Sequence, residues 1–262
     1  MNLHVHKIPS VASGVRHVWK RNFLAFKKTW LVSAFWILLE PTFFLLAIGY
    51  GLGSFVPTIQ GLSYADFFYP ALLCTTSMMV SFFECSYANF AKLNYQKTYS
   101  TMILSPLRPQ EIVLGEIFWG ATKGFLSVLG VTTVATIAGH DLNFGILGAW
   151  VVLTVNSTIF AALGMIIISL VKNYDGIVYP TSGFIIPMSL FSGTYYPLEQ
   201  LPELLRYLSY LFPLTHSVSL VRTLVTGGSL EWFHRVQFLF LVGLAGFLVV
   251  TAIRKIQSKI IQ

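Results

Sequence analysis

The chain has 262 residues, of which 55% are hydrophobic and only 10% are charged, and its mean hydropathy is +0.70. This composition excludes a soluble globular protein and is typical of membrane proteins. The formal net charge is +7, but the basic residues flank apolar stretches instead of forming a basic stripe with interleaved aromatic residues. Anionic lipid headgroups are therefore the expected counter-charge, and nucleic acid is not.

The first predicted element is an amphipathic helix, Val11–Lys28, with apolar residues on one side and basic residues on the other. Such a helix is expected to lie on the membrane surface, with Arg16, Trp19, Lys20 and Phe23 at the interface. A signal peptide is the alternative interpretation. The apolar run that follows is too long for one, however, and it lacks a small-residue cleavage site.

Six stretches come close to the roughly 20 apolar residues that a membrane-spanning helix needs; they are 30–53, 67–91, 112–138, 144–171, 177–194 and 236–253. The predicted fold class is therefore an all-α membrane protein with six transmembrane helices, since lipid offers no partner to the backbone of an open sheet. The fifth stretch is irregular, because Pro180, Gly183 and Pro187 bend it and Gly193 ends it.

Lysine and arginine are distributed unevenly between the two sides that these spans define. One side has Lys7, Arg16, Lys20, Arg21, Lys27, Lys28, Lys92, Lys97, Arg108, Lys172, Arg254, Lys255 and Lys259, whereas the other has Arg206, Arg222 and Arg235. By the positive-inside rule, both termini and the connection between the second and third spans are cytoplasmic.

That connection, 92–116, is the longest basic, polar interruption between two spans. Residues 95–104 predict a short helix, which Ser105, Pro106 and Pro109 end. Exposed apolar side chains at a cytoplasmic surface need a partner to cover them, and those that recur here at helical spacing are Tyr99, Met102, Ile103 and Leu107. An ordinary solvated connector is the alternative.

The segment 195–213 is too short and too polar to span a membrane, although leucines recur in it at helical spacing. It is predicted to dip into the outer leaflet or lie along it as short re-entrant helices, with protein covering its backbone ends. A surface loop with one amphipathic turn is the alternative. The residues that mark the segment are Tyr195, Tyr196, Pro197, Pro202 and Pro213.

Among the ionisable residues inside the predicted spans, two stand out, Glu84 in the second and Lys123 in the third. Their distances from the cytoplasmic ends, roughly 12 and 16 Å at 1.5 Å per residue, place them at similar depth. We expect an ion pair, because an unpaired charge at that depth costs about 2.5 kcal/mol or more. The alternatives are that Lys123 snorkels to the interface or meets Glu116 two turns away on its own helix.

The sequence carries no pattern for catalysis, nucleotide binding or metal binding. It has no G-x-x-x-x-G-K-[ST] loop for phosphates, and its histidines have neither metal-ligand spacing nor a Ser-His-Asp arrangement. His140 and Asp141 are expected in a turn on the outer side. Catalytic residues, metal ligands and cofactor-binding residues are therefore not expected on this chain.

The segments YANFAKLNYQKTYSTMILSPLRPQEIVLGEIFWGATKG, at 87–124, and FSGTYYPLEQLPELLRYLSYLFPLTHSVSLVR, at 191–222, resemble those of the type-2 ABC exporter permeases. Within that family the chain is most similar to the nodulation protein J branch, permeases for lipo-chitooligosaccharide export. The resemblance covers essentially the whole chain as one transmembrane domain. Drug and polysaccharide exporters also belong to this branch, so the resemblance leaves the substrate open.

The resemblance implies a bacterial inner-membrane permease that dimerises and pairs with two copies of a separate ATPase, which holds ATP and magnesium. It also implies that 95–108 is a coupling helix region that meets the ATPase together with the N-terminal helix, and that 195–213 is the outer re-entrant segment. The coupling residues would be Tyr95, Tyr99, Met102, Ile103, Leu107 and Arg108.

Two other classes of protein are weighed against an exporter of amphipathic substrates. A membrane-embedded transferase needs a polar catalytic cluster at one interface, and the sequence has none that is recognisable. An ion-coupled carrier is typically built from inverted repeats or carries several buried acids, and no convincing repeat is present.

Overall fold

A computed structural model describes residues 11–56, 58–140 and 143–261, so Lys7 and Asp141 lie outside the described residues. The described chain is mostly helical and includes one hairpin, formed by the antiparallel strands β1 (Thr58–Ile59) and β2 (Leu62–Ser63). The hairpin turns through Gln60 and Gly61, whose φ angles are 52° and 80°. Two successive positive φ angles are the geometry that lets a two-residue turn follow the twist of a hairpin.

The α-helices are α1 (Val11–Lys28), α2 (Trp30–Phe44), α3 (Tyr64–Phe83), α4 (Thr98–Ile103), α5 (Pro109–Ile137), α6 (Gly145–Leu170), α7 (Asp175–Pro180), α8 (Ile186–Phe191), α9 (Glu203–Ser209), α10 (Pro213–Val225) and α11 (Trp232–Ile261). Two of them continue in wider or tighter turns. A π-helix (Leu45–Gly51) and a 3₁₀ turn (Leu52–Ser54) extend α2, and the π-helical turns Glu84–Ala88 and Ala91–Tyr95 extend α3.

Five helices of the described chain are long and apolar enough to cross a membrane. They run over Trp30–Ser54, Tyr64–Tyr95, Pro109–Ile137, Gly145–Leu170 and Trp232–Lys259. Each overlaps one of the six predicted spans. The predicted span 177–194 has no counterpart among them.

The stretch 177–194 lies on one helical run, 175–191, whose middle is wound as a π-helix, which agrees with the expected irregular helix. Helix α7 ends at Pro180, a π-helical segment covers Thr181–Ile185, and α8 ends at Phe191. Proline removes an amide donor and crowds the preceding turn, which breaks the regular hydrogen-bond ladder. Beyond α8, Gly193 has a φ of +72° and turns the chain away from the helix axis.

The core of the bundle is formed by α3, α5 and α6, which pack against one another, with α10 and α11 packed against α6. Small residues let these helices approach closely, as they commonly do in membranes. A Cβ atom added to Gly124 of α5 would lie 2.1 Å from Ser81 Oγ of α3 and 2.5 Å from Ser157 Oγ of α6. Glycine is therefore required where the three helices meet.

A buried amide connects three helices in the middle of the bundle. Asn156 of α6 donates from Nδ2 to the Cys74 carbonyl (3.1 Å) and to Ser77 Oγ (2.9 Å), both on α3. Its Oδ1 accepts from Ser217 Oγ of α10 at 2.9 Å. The amide thus fixes the register of α10, a helix for which the sequence analysis made no prediction.

Candidate functional site

Five charged side chains meet where α1, α5 and the continuation of α3 come together, near α4. We call them the charge cluster, and they are Arg21, Glu84, Lys92, Glu116 and Lys123. Apart from Arg21, each has a side chain that is less than one-fifth exposed. The end of the bundle that holds this cluster and α4 is called the α4 end, and the opposite end, which holds α9, is the α9 end.

Glu116 is the most deeply enclosed member of the cluster, with no exposed surface. Lys92 Nζ lies 2.8 Å from its Oε2, and Asn22 Nδ2 donates to the same oxygen at 2.9 Å. Arg21 reaches Oε1 at 3.4 Å. A buried carboxylate is stable only when donors replace the water it has lost, and here these donors come from α1 and from the continuation of α3.

Glu84, the acid that was predicted to pair within the membrane, receives two donors from α5. Lys123 Nζ lies 2.8 Å from Oε2, and Trp119 Nε1 donates to Oε1 at 2.9 Å. Lys92 also lies 3.9 Å from Oε1, which joins this pair to Glu116. Lys123 therefore meets Glu84 and not Glu116, because Lys92 occupies that carboxylate.

The Glu84–Lys123 pair gives a testable prediction. Alanine at either position is expected to lower stability or transport, because each leaves its charged partner enclosed without its ion pair. A double-mutant cycle on thermal unfolding should give a coupling of about 0.5–3 kcal/mol, and exchanging the two charges should recover part of the loss. Purely additive losses would mean that the two side chains do not interact energetically.

Helix α1 has the predicted bounds, and its buried stripe faces α5. A Cβ atom added to Gly115 would lie 2.5 Å from Val18 Cβ, so the two helices touch at that glycine. The Trp19 ring packs edge-on against Trp119, with centroids 6.1 Å apart, and Trp19 Nε1 donates to Thr122 at 3.1 Å. These contacts hold α1 firmly beside the charge cluster.

The residues assigned to the surface of α1 divide into two groups. Arg16 and Lys20 are exposed, and Phe23 is partly exposed while it stacks on Trp19 at 5.3 Å. Arg21, which was assigned to the basic side, instead reaches the charge cluster. Asn22 was not singled out, although it is buried and binds Glu116.

The expectation that Tyr99 and Met102 are exposed and await a partner is wrong. Tyr99 is 0% exposed and Met102 is 9% exposed, because α4 turns these side chains into the hydrophobic core of this chain. Arg21 Nη1 also contacts Met102 Sδ at 3.7 Å. Burial raises the pKa of the Tyr99 hydroxyl, so that this buried side chain stays neutral.

The remaining coupling candidates lie nearer the surface. Ile103 and Leu107 are half-buried, and Arg108 is exposed just before α5. Tyr95 is 64% exposed and stacks on Tyr174 at 5.5 Å, which ties the approach to α4 to the start of α7. The most exposed apolar side chain of this region is Leu104 (88%), which follows α4 and was not singled out in the sequence.

The segment 195–213 lies at the α9 end and is tied to α3. The Tyr195 carbonyl accepts from the Tyr64 hydroxyl at 3.0 Å, and the Tyr195 ring stacks on Phe68 at 5.6 Å. Arg222 of α10 donates to the Gly193 carbonyl at 2.7 Å. The backbone just before the segment is thus held against the bundle.

The other residues of this segment mark its turns. Tyr196 is half-buried and Pro197 is buried, and a 3₁₀ turn (Leu198–Gln200) follows them. Pro202 precedes α9, and Pro213 is the first residue of α10. Proline suits these positions because its fixed φ favours a helix start where no amide donor is needed.

At the same end, His140 Nδ1 lies 2.9 Å from the Asp66 carboxylate, and the His140 ring stacks on Tyr69 at 5.1 Å. These contacts join the end of α5 to the start of α3.

The described chain is thus a bundle with five membrane-length helices and a charge cluster enclosed at one end. The chain belongs to the ABC-2 type transporter family, whose model matches residues 13–225. It is 35% identical over 210 residues to nodulation protein J of Rhizobium leguminosarum bv. viciae, covering 80% of this chain and 81% of that protein.

Two further relatives cover a similar share of the chain. Nodulation protein J of Rhizobium meliloti strain 1021 is 33% identical over 228 residues, covering 87% of each chain. The inner membrane transport permease YadH of Escherichia coli K12 is 23% identical over 214 residues, covering 78% of this chain and 80% of that protein. The family match therefore rests on most of the bundle and not on one short motif.

Proposed function

We propose that the chain is the permease subunit of an ATP-driven exporter that moves an amphipathic substrate out of the cytoplasm or the inner leaflet. The observation that carries the proposal is the family match over 13–225. The names of the relatives, a nodulation protein and an inner membrane transport permease, support a bacterial inner-membrane location. The proposed substrate class is a lipo-oligosaccharide, a lipid-linked saccharide or a hydrophobic drug.

The positions of α1 and of the end of α11 in the bundle indicate how many times the chain crosses the membrane. Arg21 of α1 contacts Glu116 at the α4 end, and Lys259 near the end of α11 donates to the Ile168 and Val171 carbonyls at 2.7 and 2.9 Å. The end of α6 lies at the α4 end too, because Gly164 packs against the backbone of Phe82 and Cys85. Both ends of the described chain therefore share one side, which requires an even number of crossings.

The helical stretch 175–191, with its π-helical middle, is the proposed sixth crossing. It starts beside Tyr95 through Tyr174 at the α4 end, and Gly193, just beyond it, is bonded to Arg222 at the α9 end. With the five long helices, this would make six crossings. The excess of basic residues at the α4 end supports a cytoplasmic location for that end. Helix α1 then lies at the inner membrane surface, packed on α5.

Cysteine labelling tests this topology. With the buried Cys74 and Cys85 as background, single cysteines at Gly61 and Gly228 are expected to react with an impermeant thiol reagent added outside intact cells. Cysteines at Ser100 and Ser258 should react only after the membrane is opened. Labelling of Ser100 from outside would invert the topology and exclude α4 from contact with a cytoplasmic partner.

The proposed partners are a second copy of this chain and two copies of an ATPase, which would carry ATP and magnesium. The α4 end offers a docking surface, since Leu104 and Tyr95 are exposed there and α4 packs on the residues that hold the charge cluster. We propose that a movement of α4 is transmitted to α1 and α5 through the contact between Met102 and Arg21. This chain would transport and would not itself catalyse ATP hydrolysis.

An ion-coupled carrier and a membrane-embedded transferase are the alternative functions. Purification of the chain with its bound partners, followed by a measurement of substrate-stimulated ATP hydrolysis, separates the three. A permease subunit brings an ATPase with it, a carrier moves substrate with an ion gradient and no ATP, and a transferase changes its substrate covalently.

A further inference from the structure

One acidic residue in a membrane-length helix stands apart from the charge cluster. Glu40 lies in α2, ten residues after Trp30, and at 1.5 Å per residue this is about 15 Å along the helix. A hydrocarbon core is about 30 Å thick, so Glu40 sits close to its middle. Its side chain is exposed, and within the described part of the chain no hydrogen bond or ion pair reaches it.

The contrast with the two acids of the charge cluster is informative. Glu84 and Glu116 each have a lysine at 2.8 Å and at least one further donor. Unpaired ionisable residues inside membranes are costly, and they commonly mark the path of a substrate or an ion. Glu40 is therefore positioned to receive a donor that the described part of this chain does not supply to it.

Glu40 borders a cavity of about 100 Å³ between α2, α3 and α8. Its polar lining comes from Thr75, Thr76, Ser189 and Tyr195, and apolar side chains such as Leu72 and Met79 complete the wall. The cavity is smaller than the roughly 300–1,000 Å³ of a site that encloses a drug-sized ligand. It has room for a small polar group, whose apolar remainder would stay in the surrounding lipid.

The described spans of a second copy offer no cation at this depth. In the described spans the basic residues are Lys92 and Lys123, which belong to the charge cluster, and Arg235, Arg254, Lys255 and Lys259 near the two ends of α11. The α2 span has no basic residue. The missing donor is therefore better supplied by a bound molecule than by a symmetry partner.

We infer that Glu40 and the hydroxyl-lined cavity beside it bind the headgroup of an amphiphile through hydrogen-bond donors. A carboxylate accepts hydrogen bonds and repels anions, so the class of ligand is an alkyl chain that carries saccharide hydroxyls or a protonated amine. This inference rests on the proposed export function, and it adds a residue that selects the headgroup.

The first test is chemical modification of the protein reconstituted in phosphatidylcholine nanodiscs. Dicyclohexylcarbodiimide enters membranes and modifies carboxyl groups, and mass spectrometry locates the product. Glu40 is expected to be modified, whereas Glu84 and Glu116 are protected by their partners. If Glu40 is modified in a monomer but not in a dimer, a second copy covers it and the inference is wrong.

The second test asks which headgroup protects Glu40. Dodecyl maltoside supplies hydroxyls, dodecylamine supplies an ammonium group, and dodecyl phosphate has the same chain with an anionic head. The first two are expected to slow the modification, and the phosphate is not. Protection by only the maltoside or only the amine assigns the site to that headgroup. Equal protection by all three would mean that the cavity binds only alkyl chains, and protection by none would mean that it binds no headgroup. Either result would refute the inference.

Binding by variants completes the test without needing transport. Glu40→Gln keeps the size of the side chain but removes its charge, and it should weaken binding of radiolabelled dodecylamine about tenfold, since hydrogen bonds to charged groups are the strong ones. Ser33→Ala, in the same helix and outside the cavity, should bind as the wild type does. The Glu40→Gln protein should unfold at the wild-type temperature, because no partner is lost.

These measurements use neither ATP nor an ATPase. If the amphiphiles protect Glu40 selectively but the chain never associates with an ATPase, the headgroup site is supported and the proposed export function is refuted. If Glu40→Gln binds dodecylamine as the wild type does and supports normal ATP-driven export, the headgroup site is refuted and the proposed export function is supported. A large loss of thermal stability in Glu40→Gln would show a structural role for Glu40 and also overturn the inference.

Discussion

Replacing Glu116 with alanine is expected to lower the free energy of unfolding by about 3–5 kcal/mol, the usual cost of removing one partner from a buried ion pair. Glu116 is fully enclosed, and its loss leaves Lys92 inside the bundle without its 2.8 Å contact. Asn22 loses its acceptor on the same carboxylate. Thermal unfolding of the purified protein, followed by size-exclusion chromatography, measures the effect.

Two further variants make this prediction specific. Glu203→Ala removes an exposed acid at the α9 end and should leave the unfolding temperature nearly unchanged. Replacing Lys92 and Glu116 together with methionine and leucine should recover part of the loss, since two apolar groups need no counter-charge. If Glu116→Ala is as stable as Glu203→Ala, the charge cluster does not hold α1 against α5.

The second large effect is expected at Leu104, in the region proposed to meet the ATPase. Aspartate at this 88% exposed position should leave the fold intact, but it places a charge where an apolar anchor would dock. Loss of one anchor residue costs at least about 2 kcal/mol of binding, or roughly thirty-fold in affinity. The variant should therefore lose its ATPase on purification, or hydrolyse ATP without export.

Leu204→Asp is the matched control, because Leu204 is also a largely exposed leucine (71%) but lies in α9 at the opposite end of the bundle. It should retain the ATPase at the wild-type level. Normal ATPase binding and export by Leu104→Asp would reduce α4 to a connector and direct the search for the docking surface to α1.

The burial of Tyr99 and Met102 limits which substitutions can test coupling. Aspartate at either position would enter the core, and a loss of ATPase binding would then report unfolding and not docking. Helical spacing predicted that these residues share a face with Ile103 and Leu107. It did not predict which way that face points, because α4 is held by tertiary contacts with α1 and α5.

Hydropathy located the long helices because a membrane-length apolar run has few alternatives. It also counted 177–194 as a span, and the helical run found there, 175–191, is shorter than the other five. The prolines in that stretch predicted a bend, but the π-helical turns between α7 and α8 depend on backbone hydrogen bonds that composition does not encode. For α10 the sequence analysis made no prediction beyond Pro213.

The charge cluster was only half visible in the sequence, although a signal was present. Glu84 and Lys92 lie eight residues apart, Glu116 and Lys123 lie seven apart, and the two helices run in opposite directions. Glu84 therefore lies level with Lys123, and Lys92 lies level with Glu116. The two pairs are about 10–12 Å apart along the helices. The contributions of Arg21 and Asn22 could not be inferred, because nothing in the periodicity of α1 shows that it packs on α5.

Glu40 was not singled out in the sequence, although it is an acid within an apolar span. The sequence alone could not have shown that it is unpaired, because that depends on which side chains surround it. The structure provides this information, because no hydrogen bond or ion pair from the described residues reaches the Glu40 side chain.

The central claim is that this permease is driven by a separate ATPase that docks at the α4 end. The most direct measurement is to purify the chain under mild conditions from its native membrane, identify the proteins bound to it, and assay ATP hydrolysis in proteoliposomes. We expect an ATPase to be bound, and we expect its activity to support export. The ATPase should be lost in Leu104→Asp but retained in Leu204→Asp. A chain that purifies without an ATPase and moves amphiphiles in response to an ion gradient would contradict the central claim.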